Sequence, residues 1–135
     1  MPEEEKLDVL NKDGGEKGKI KQRGRVHDQG DWHRSVHVWI VDSDGEILIQ
    51  RRSADSRISP GFWTVSASGH VESGDEPIIT AIKEVKEELG VSLGEKDLEY
   101  LTTYKKSKHY EDRGIQDNEF NPIFVVRKEI EENKL

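Results

Sequence analysis

The stretch GHVESGDEPIITAIKEVKEELGV, residues 69–91, carries the strongest structural signal in the chain. Its second half is predicted to be helical, because Asp75 can cap the first turn, Pro77 is tolerated there, and Gly90 marks the C-terminal end. The aliphatic side chains fall on one broad face, since each helical residue turns by about 100°. These residues are Ile78, Ile79, Ala81, Ile82, Val85 and Leu89.

The opposite face of the predicted helix carries three glutamates, Glu84, Glu87 and Glu88, within an arc of roughly 100°. Carboxylates at this spacing repel one another, and like charges at i,i+4 destabilise a helix by a few tenths of a kcal/mol. A divalent cation would offset that repulsion, because hard cations prefer carboxylate oxygens. An ordinary solvated acidic face is the alternative interpretation of EVKEE taken alone.

The residues that flank the glutamates favour the cation. Five residues separate Gly69 from Asp75, seven separate Asp75 from Lys83, and Glu84 follows directly. This spacing resembles the Nudix box, G-x5-E-x7-R-E-U-x-E-E-x-G-U, in which U is aliphatic. Asp75 and Lys83 depart from the pattern, since the family has Glu and Arg there. The matching residues are Gly69, Glu84, Val85, Glu87, Glu88, Gly90 and Val91.

Composition limits the class of protein. The chain has 135 residues, 36% of them charged, with a formal net charge of -7. That length fits one domain with a real core, and the acidic balance argues against a nucleic-acid polymer as partner. No apolar run approaches the roughly 20 residues that span a bilayer, and MPEEEK is not typical of a signal peptide. Cysteine is absent, which excludes disulfides and Cys-ligated zinc, so we expect a cytoplasmic protein without a membrane partner.

Segments on both sides of the helix are predicted to be strands. Residues 33–43 alternate, with Val36, Val38 and Ile40 on one face, and Asp44-Gly45 predicts a hairpin turn. Strands around one well-marked helix predict a mixed sheet with helical cover, an α/β domain. The other predicted strands are residues 46–52, 62–68, 98–107 and 121–127, and polar loops are predicted at 53–60 and 108–116.

The N-terminal part of the chain has two features of its own. Residues 1–21 contain a short apolar alternation and the turn-rich segment 11–15, which predicts a hairpin or an edge segment. Lys19, Lys21, Arg23 and Arg25 then form a local basic cluster. Surface charge explains each residue alone, but beside the acidic helix the cluster would receive phosphate oxygens.

The resemblance extends beyond the box, from about residue 27 to residue 124. DWHRSVHVWIVDSDGEILIQRRS, PGFWTVSASGHVESGD and DNEFNPIF are similar to the Nudix branch that includes type I isopentenyl diphosphate isomerase and its hydrolase-like relatives. Those isomerases use an essential cysteine two residues before the histidine of the box, where this sequence has Ser68. They also bind a metal with histidines and with two acids separated by one residue. The matching positions here are His33, His70, Asp117 and Glu119, and His27 lies near another.

The resemblance implies an α/β/α sandwich around a mixed sheet, and a hydrolase that cleaves a diphosphate linked to another moiety with Mg²⁺ or Mn²⁺. The metal would neutralise developing charge and activate a water. Glu87, Glu88 and the carbonyl of Gly69 would hold it. Glu84 would complete the site as a ligand or as the base for the water, and Glu119 is the alternative base or an extra ligand.

Three basic residues are also given roles by the resemblance. Lys83 would orient a glutamate, which requires it to lie close to Glu84 or Glu87. An ammonium can do this only as a point charge, since it lacks the two-pronged contact of Arg. Arg51 and Arg52 would contact the diphosphate, although exposed arginines at a strand end are an equally good interpretation.

Aromatic and histidine residues complete the set of candidate site residues. Trp32, beside His33, is predicted to face the substrate, whereas Trp39 and Trp63 are predicted to pack in the core or on the sheet. Neutral imidazole and carboxylate suit transition metals. We therefore predict a second metal site formed by His33, His70, Asp117 and Glu119.

The end of the sequence carries a separate expectation. Relatives of this branch usually continue with a further strand and a closing helix, whereas the sequence ends at Leu135 after EIEENKL. We expect residues 1–135 to form a single Nudix-type domain that lacks that strand and helix. An apolar face left exposed in this way would favour a homodimer.

The predicted function is metal-dependent hydrolysis of a nucleotide-like or other small diphosphate. An isomerase of isoprenoid diphosphates is the alternative enzyme, and it is disfavoured because a hydroxyl does not replace a thiol with a pKa of about 8.5. A catalytically weak diphosphate-binding or regulatory domain is the alternative outside enzymes, supported by Lys83 and the short C-terminus. Loops outside the box set the leaving group, which the sequence does not name.

The serine at position 68 generates a test of the isomerase alternative. The wild-type protein should not interconvert the two isoprenoid diphosphate isomers, because the thiol needed for proton transfer is missing. Ser68→Cys alone should restore little, since the remaining acid–base groups must also fit. Incorporation of solvent deuterium into the substrate measures the reaction, and detectable exchange by the wild-type protein would favour the isomerase.

Overall fold

A computed structural model describes residues 5–52, 54–55, 61–111 and 114–129. Its core is a seven-stranded sheet, with a separate two-stranded sheet beside it and two helices, α1 (Arg23–Gln29) and α2 (Pro77–Leu89). The strands are β1 (Lys6–Leu10), β2 (Glu16–Gln22), β3 (Trp32–Val41), β4 (Ile47–Leu48), β5 (Gln50–Arg51), β6 (Trp63–Thr64), β7 (Ala67–His70), β8 (Leu98–Tyr110) and β9 (Ile115–Arg127).

Strand β3 lies at the centre of the large sheet. The order is β2-β1-β3-β9-β8, and β4 and β7 also pair with β3. The β3–β9 pair is parallel, from Trp32↔Asn118 to Val41↔Arg127, and the other pairs are antiparallel. The predicted mixed sheet is therefore confirmed.

The two helices contact opposite faces of this sheet. Side chains alternate along β3, so this strand contributes residues to both faces. Val36, Val38 and Ile40 project to one face and form the main core with Ala81, Val85 and Leu89 of α2 and with Phe124 and Val126 of β9. His33 projects to the other face, where its ring meets that of His27 on α1. This arrangement agrees with the predicted helix–sheet–helix sandwich.

Helix α2 begins later than predicted. Glu76 is the N-cap residue and Pro77 is the first helical residue, while Asp75 donates its backbone N–H to the carbonyl of Glu72 in the preceding turn. The prediction of Asp75 as the cap is therefore wrong. Gly90 ends the helix as predicted, in the left-handed conformation that favours glycine (φ 73°), with its N–H donating to Lys86. Ile79 is 44% exposed and does not belong to the buried face.

Several strand boundaries also differ from the predictions. Residues 46–52 and 62–68 were each predicted as one strand, but each divides between the two sheets, as β4 and β5 and as β6 and β7. β8 and β9 are 13 residues each and absorb most of the predicted 108–116 loop. β8 is exposed along most of its length, and in β9 the buried positions 117 and 119 are acidic. Neither stretch therefore shows the apolar alternation that predicts a strand. Of the predicted 53–60 loop, residues 53 and 56–60 lie outside the described residues.

The N-terminal hairpin is confirmed as β1 and β2, but α1 was not predicted. This helix has seven residues, contains a glycine and has no side-chain cap. The sequence therefore offers neither a helix-start signal nor a stretch long enough to show helical periodicity. No helix in the described ranges is long and apolar enough to cross a membrane.

Candidate active site

One polar cavity of about 450 Å³ gathers most of the predicted site residues. The box helix contributes Glu84 and Glu88, β7 contributes Gly69 and His70, and the far wall holds Asp117 and Glu119. A more apolar groove of about 480 Å³ lies on the α2 face of the sheet, and neither histidines nor the box glutamates line it. The cavity, not the groove, therefore has the chemistry expected of an active site.

Gly69 lets Glu84 enter this cavity. A Cβ atom at position 69 would lie 2.5 Å from Cγ of Glu84 and closer still to its carboxylate. Real Cβ contacts are not that short, so any side chain at this position would displace Glu84. The Gly69 backbone is held in place from the other side, because Ser35 Oγ donates to its carbonyl at 3.2 Å.

Glu84 and Glu88 are close enough to influence each other. Glu88 accepts hydrogen bonds from Gln50 Nε2 at 2.7 Å and from the Ser68 N–H at 3.1 Å. Burial and the charges of Glu88 and Glu87 raise the pKa of Glu84 to about 8. Burial also raises the pKa of Glu88. Two adjacent carboxylates that resist ionisation fit a cation, whose charge would stabilise both ionised forms.

Glu87 and Lys83 occupy the outer surface of the same helix. Glu87 is exposed and is not among the residues that line the cavity. The ammonium of Lys83 lies 3.3 Å from Oε2 of Glu72, in the loop before the helix. Its expected partners were Glu84 or Glu87, so the prediction is corrected: this ion pair joins the box helix to its own preceding loop.

Arginines provide positive charge at the cavity. Arg51 and Arg52 both line it, as predicted, and Arg51 donates from Nε to the carbonyl of Gly61 at 2.8 Å. Of the predicted basic cluster, Arg23 lines the cavity, and its guanidinium lies 3.6 Å from Glu5. Lys21 instead donates hydrogen bonds to Gln29 and Asp31.

A second group of candidate ligands lies on the far side of the cavity. His27, His33, His70 and Glu119 each present one ligating atom, and these four atoms lie within 4.8 Å of one another. Three of the four predicted residues are in this group. His27 joins them, and Asp117 lies beside the group: its Oδ2 accepts a hydrogen bond from Lys106 at 3.1 Å, and its Oδ1 lies 3.8 Å from His33 and 3.9 Å from His27.

The charges of this cluster suit a metal ion. Burial, and then the charge of His33, lowers the pKa of His70 to about 3 and also lowers that of His27. Burial alone would lower the pKa of His33, but contact with the Glu119 carboxylate raises it. Two neutral imidazoles beside a carboxylate are the forms that bind a transition metal.

Unpaired atoms point to the same conclusion. Nε2 of His27, Nε2 of His33 and Oδ1 of Asp117 are buried and make no hydrogen bond within the described part of the chain. An unsatisfied buried polar atom costs about 1–3 kcal/mol, so native structures rarely keep several together without a ligand. The residues present therefore fit a bound cation.

Trp32 is not where the prediction placed it. Its ring packs 5.2 Å from that of Phe120, with the Lys105 ammonium 4.9 Å above, and it does not line the cavity. Neighbours along a strand point to opposite faces, so His33 lies on the cavity side of the sheet, fully buried behind the lining, and Trp32 faces away. Trp63 is 64% exposed and lies in β6, so of its two predicted placements, in the core or on the sheet, the core is wrong.

Sequence reasoning missed Glu5, Gln50 and Lys106 as cavity residues. Lys106 is the register partner of Glu119, so a correct pairing of β8 with β9 would have identified it. Gln50 precedes the two arginines and is fixed by β5–β6 pairing. Nothing in MPEEEK distinguishes Glu5 from the glutamates beside it.

Comparison with known proteins identifies the family and the fold of the chain. The NUDIX domain model matches residues 31–135. A protein named Nudix hydrolase 3 from Arabidopsis thaliana is 41% identical over 124 residues, which is 91% of this chain and 16% of that protein. An isopentenyl-diphosphate Delta-isomerase from Streptomyces avermitilis is 30% identical over 119 residues, which is 88% of this chain and 59% of that protein. The chain thus spans less than two thirds of either relative.

A solved structure with the same architecture comes from Deinococcus radiodurans. The crystal structure of its DR0079 protein superposes with a TM-score of 0.68 at 23% identity, covering 94% of this chain and 74% of that one. At this identity the likeness shows the fold alone. Together with the domain match, it confirms the predicted resemblance and the α/β architecture.

The contact between Gly69 and Glu84 gives a direct test. Gly69→Ala should keep the fold, because the Glu84 side chain can swing away, but it should weaken Mg²⁺ binding by removing that carboxylate from the cavity. Gly94→Ala is the matched control, since its Cβ would meet Asp97 no closer than 3.8 Å. Isothermal titration with Mg²⁺ and a melting curve measure the two effects. Unchanged Mg²⁺ affinity in Gly69→Ala would remove Glu84 from the metal site.

The raised pKa of Glu84 predicts a stability effect that depends on pH. Its ordinary pKa is 4.5 and its folded value is about 8, so the folded state holds the proton more tightly and loses stability as pH rises from 4.5 to 8. In metal-free protein, Glu84→Gln should therefore raise Tm at pH 9 and have little effect at pH 4. Saturating Mg²⁺ should abolish the advantage, because it stabilises only the ionised wild type. Equal Tm differences at both pH values would contradict the assignment.

Proposed function

The chain belongs to the Nudix family, and from that membership we propose that it is a metal-dependent hydrolase of a diphosphate linkage in a nucleotide-like or other small diphosphate. The observation that carries the proposal is the meeting of Glu84 and Glu88 with Arg51 and Arg52 in one cavity. Carboxylates supply a cation site and guanidinium groups supply bidentate donors to phosphate oxygens. Hydrolysis of a diphosphate requires both.

The chain's own residues divide the work as follows. Glu84, Glu88 and the Gly69 carbonyl would hold Mg²⁺ or Mn²⁺, and Glu87 would join them from the rim. When bound, the cation supplies charge neutralisation on the diphosphate and lowers the pKa of a bound water. Glu84 takes the proton of the attacking water if it is not itself a ligand, and Glu119 is the alternative base.

The arginines orient the substrate. Arg51 and Arg52 bind phosphate oxygens and set the scissile bond toward the glutamates. The hydrogen bond of Arg51 to the Gly61 carbonyl fixes part of its side chain before substrate arrives, which reduces the entropy lost on binding. Arg23 adds a third guanidinium at the same wall.

A second cation site is proposed at His27, His33, His70 and Glu119. Imidazole nitrogens favour a transition ion such as Mn²⁺ over Mg²⁺, whereas the box site offers oxygen ligands only. Its place in the same cavity as the arginines would put both cations on one substrate.

An isomerase of isoprenoid diphosphates remains the second candidate, because the histidine cluster matches the metal positions of those enzymes. Ser68 lies on β7 at the cavity wall, where they have their essential cysteine. Its backbone N–H donates to Glu88. A serine hydroxyl there is a poor proton donor near neutral pH, so hydrolysis is preferred.

The experiment that tests the proposal is a phosphate-release screen over nucleoside and isoprenoid diphosphates, with Mg²⁺ and with Mn²⁺. Glu84→Gln, Glu87→Gln and Glu88→Gln should each lower turnover, by about 100- to 1,000-fold for a ligand worth several kcal/mol. Glu99→Gln on exposed β8 removes the same charge away from the cavity and should be unaffected.

Two outcomes would contradict parts of this assignment. No turnover of any diphosphate, together with tight binding of one, would favour the diphosphate-binding domain. Full activity of Glu87→Gln alone would show that the exposed glutamate is not a ligand, while loss of activity in Glu99→Gln would mean that the screen reports stability instead of chemistry.

A further inference from the structure

His33 shows how an outer acceptor sets the direction of a histidine in this cavity. Its Nδ1 lies 3.0 Å from the carbonyl oxygen of Asp31, and its Nε2 faces Glu119 at 3.3 Å and Asp117 at 3.8 Å. A carbonyl oxygen can only accept, so Nδ1 must carry a proton. Nε2 is thereby directed to the ligand cluster. Metal-binding histidines commonly have such an acceptor behind them.

His70 has the same arrangement with a carboxylate in place of the carbonyl. Its Nε2 lies 3.9 Å from Glu119, on the side of the cluster, and its Nδ1 lies 3.7 Å from Oε2 of Glu5. The contact is longer than a hydrogen bond. Hydrogen bonds at functional sites are often long before the ligand binds and shorten on binding.

Glu5 is fixed in this position by both backbone and side chain. The N–H of Arg23 donates to the Glu5 carbonyl at 2.8 Å, and the Arg23 guanidinium lies 3.6 Å from Oε2. Lys6, the next residue, is held by the loop that precedes α2 (the box loop), because Ser73 of that loop donates its N–H to the Lys6 carbonyl at 2.7 Å. Oε2 of Glu5 is shielded from solvent and makes no hydrogen bond within the described ranges. This buried carboxylate oxygen is therefore free to accept a hydrogen bond.

We propose that Glu5 is a positioning residue of the histidine cluster, which accepts the Nδ1 proton of His70 and so directs the Nε2 lone pair to the cation. The inference rests on the proposed second cation site. A carboxylate behind the ring fixes the tautomer and raises the basicity of the ligand nitrogen. Glu5 lies outside residues 31–135, so this part of the site comes from the N-terminal hairpin and not from the matched domain.

The first test uses metal-free protein and does not depend on activity. The tautomer of His70 is read from ¹⁵N-histidine NMR spectra, recorded at a pH at which the spectrum shows this ring to be neutral, with His70→Gln to assign the signal. The wild type should show the proton on Nδ1, and Glu5→Ala should shift the population toward the other tautomer. An unchanged tautomer in Glu5→Ala would overturn the proposal.

The second test is titration with Mn²⁺ in excess Mg²⁺, which occupies the oxygen-only site. Glu5→Ala should lower Mn²⁺ affinity by about 10- to 100-fold, the usual cost of losing such an acceptor, and Glu5→Gln by less, because an amide oxygen still accepts. Asp8→Asn is the matched control. It removes a charge from β1, the strand that follows Glu5, and its Oδ1 accepts a hydrogen bond from Ser73 at 2.7 Å, outside the cavity. It should affect Tm but not Mn²⁺ affinity.

The outcomes separate this inference from the proposed function. If His33→Ala leaves Mn²⁺ affinity unchanged, the histidine cluster is not the Mn²⁺ site and the role of Glu5 falls with it. If His33→Ala abolishes binding but Glu5→Ala does not weaken it, only the role of Glu5 is wrong. Equal losses in Glu5→Ala and Asp8→Asn would show that Glu5 merely ties the hairpin to the box loop.

Discussion

The side chain of Glu84 passes over Gly69 so closely that no other residue could stand at that position without moving it. This contact lets one helix serve two faces of the sheet. Val85 and Leu89 pack in the core on one side, and Glu84 and Glu88 reach around β7 into the cavity on the other. Among the strands that the structure describes, β7 pairs with β3 alone in the sheet, so its other edge is available for that crossing. The same helix therefore packs the core and, through this close approach, places Glu84 in the cavity.

The cavity holds charges and unpaired atoms that a protein selected only for stability would avoid. Burial raises the pKa of Glu84, Glu88 and Asp117, and lowers that of His27 and His70. Each shift means that the folded chain resists the charged form of the group. A bound cation would instead stabilise the ionised form of the carboxylates, and it would accept the lone pairs of the neutral imidazoles. In the proposed metal site, the free energy that the fold loses without the ion would become affinity for it.

The sequence predicted those parts of the molecule whose signals are local. The box spacing located Glu84, Glu88 and Gly69, and the alternation of residues 33–43 located β3. Prediction from the sequence failed where polar residues of the site interrupt the apolar pattern of a strand. Asp117 and Glu119 sit at buried strand positions that are normally apolar, so the predicted strand began only at residue 121, six residues after β9 begins. The partner of Lys83 and the place of Glu5 depend on contacts between distant segments, which no local pattern encodes.

The histidine cluster depends on a register that the core sets from the opposite face. Parallel pairing aligns His33 with Glu119, and five residues further along it aligns Val38 with Phe124. A slip of one residue would turn both acids of β9 into the core and Phe124 into the cavity, because the side-chain period of a strand is two. Burial of Phe124 and Val126 against α2 therefore penalises every shift by an odd number of residues, each of which would turn the acids away from the cavity. The apolar half of β9 specifies where its acidic half meets β3, so the geometry of the proposed second cation site is fixed before any ion binds.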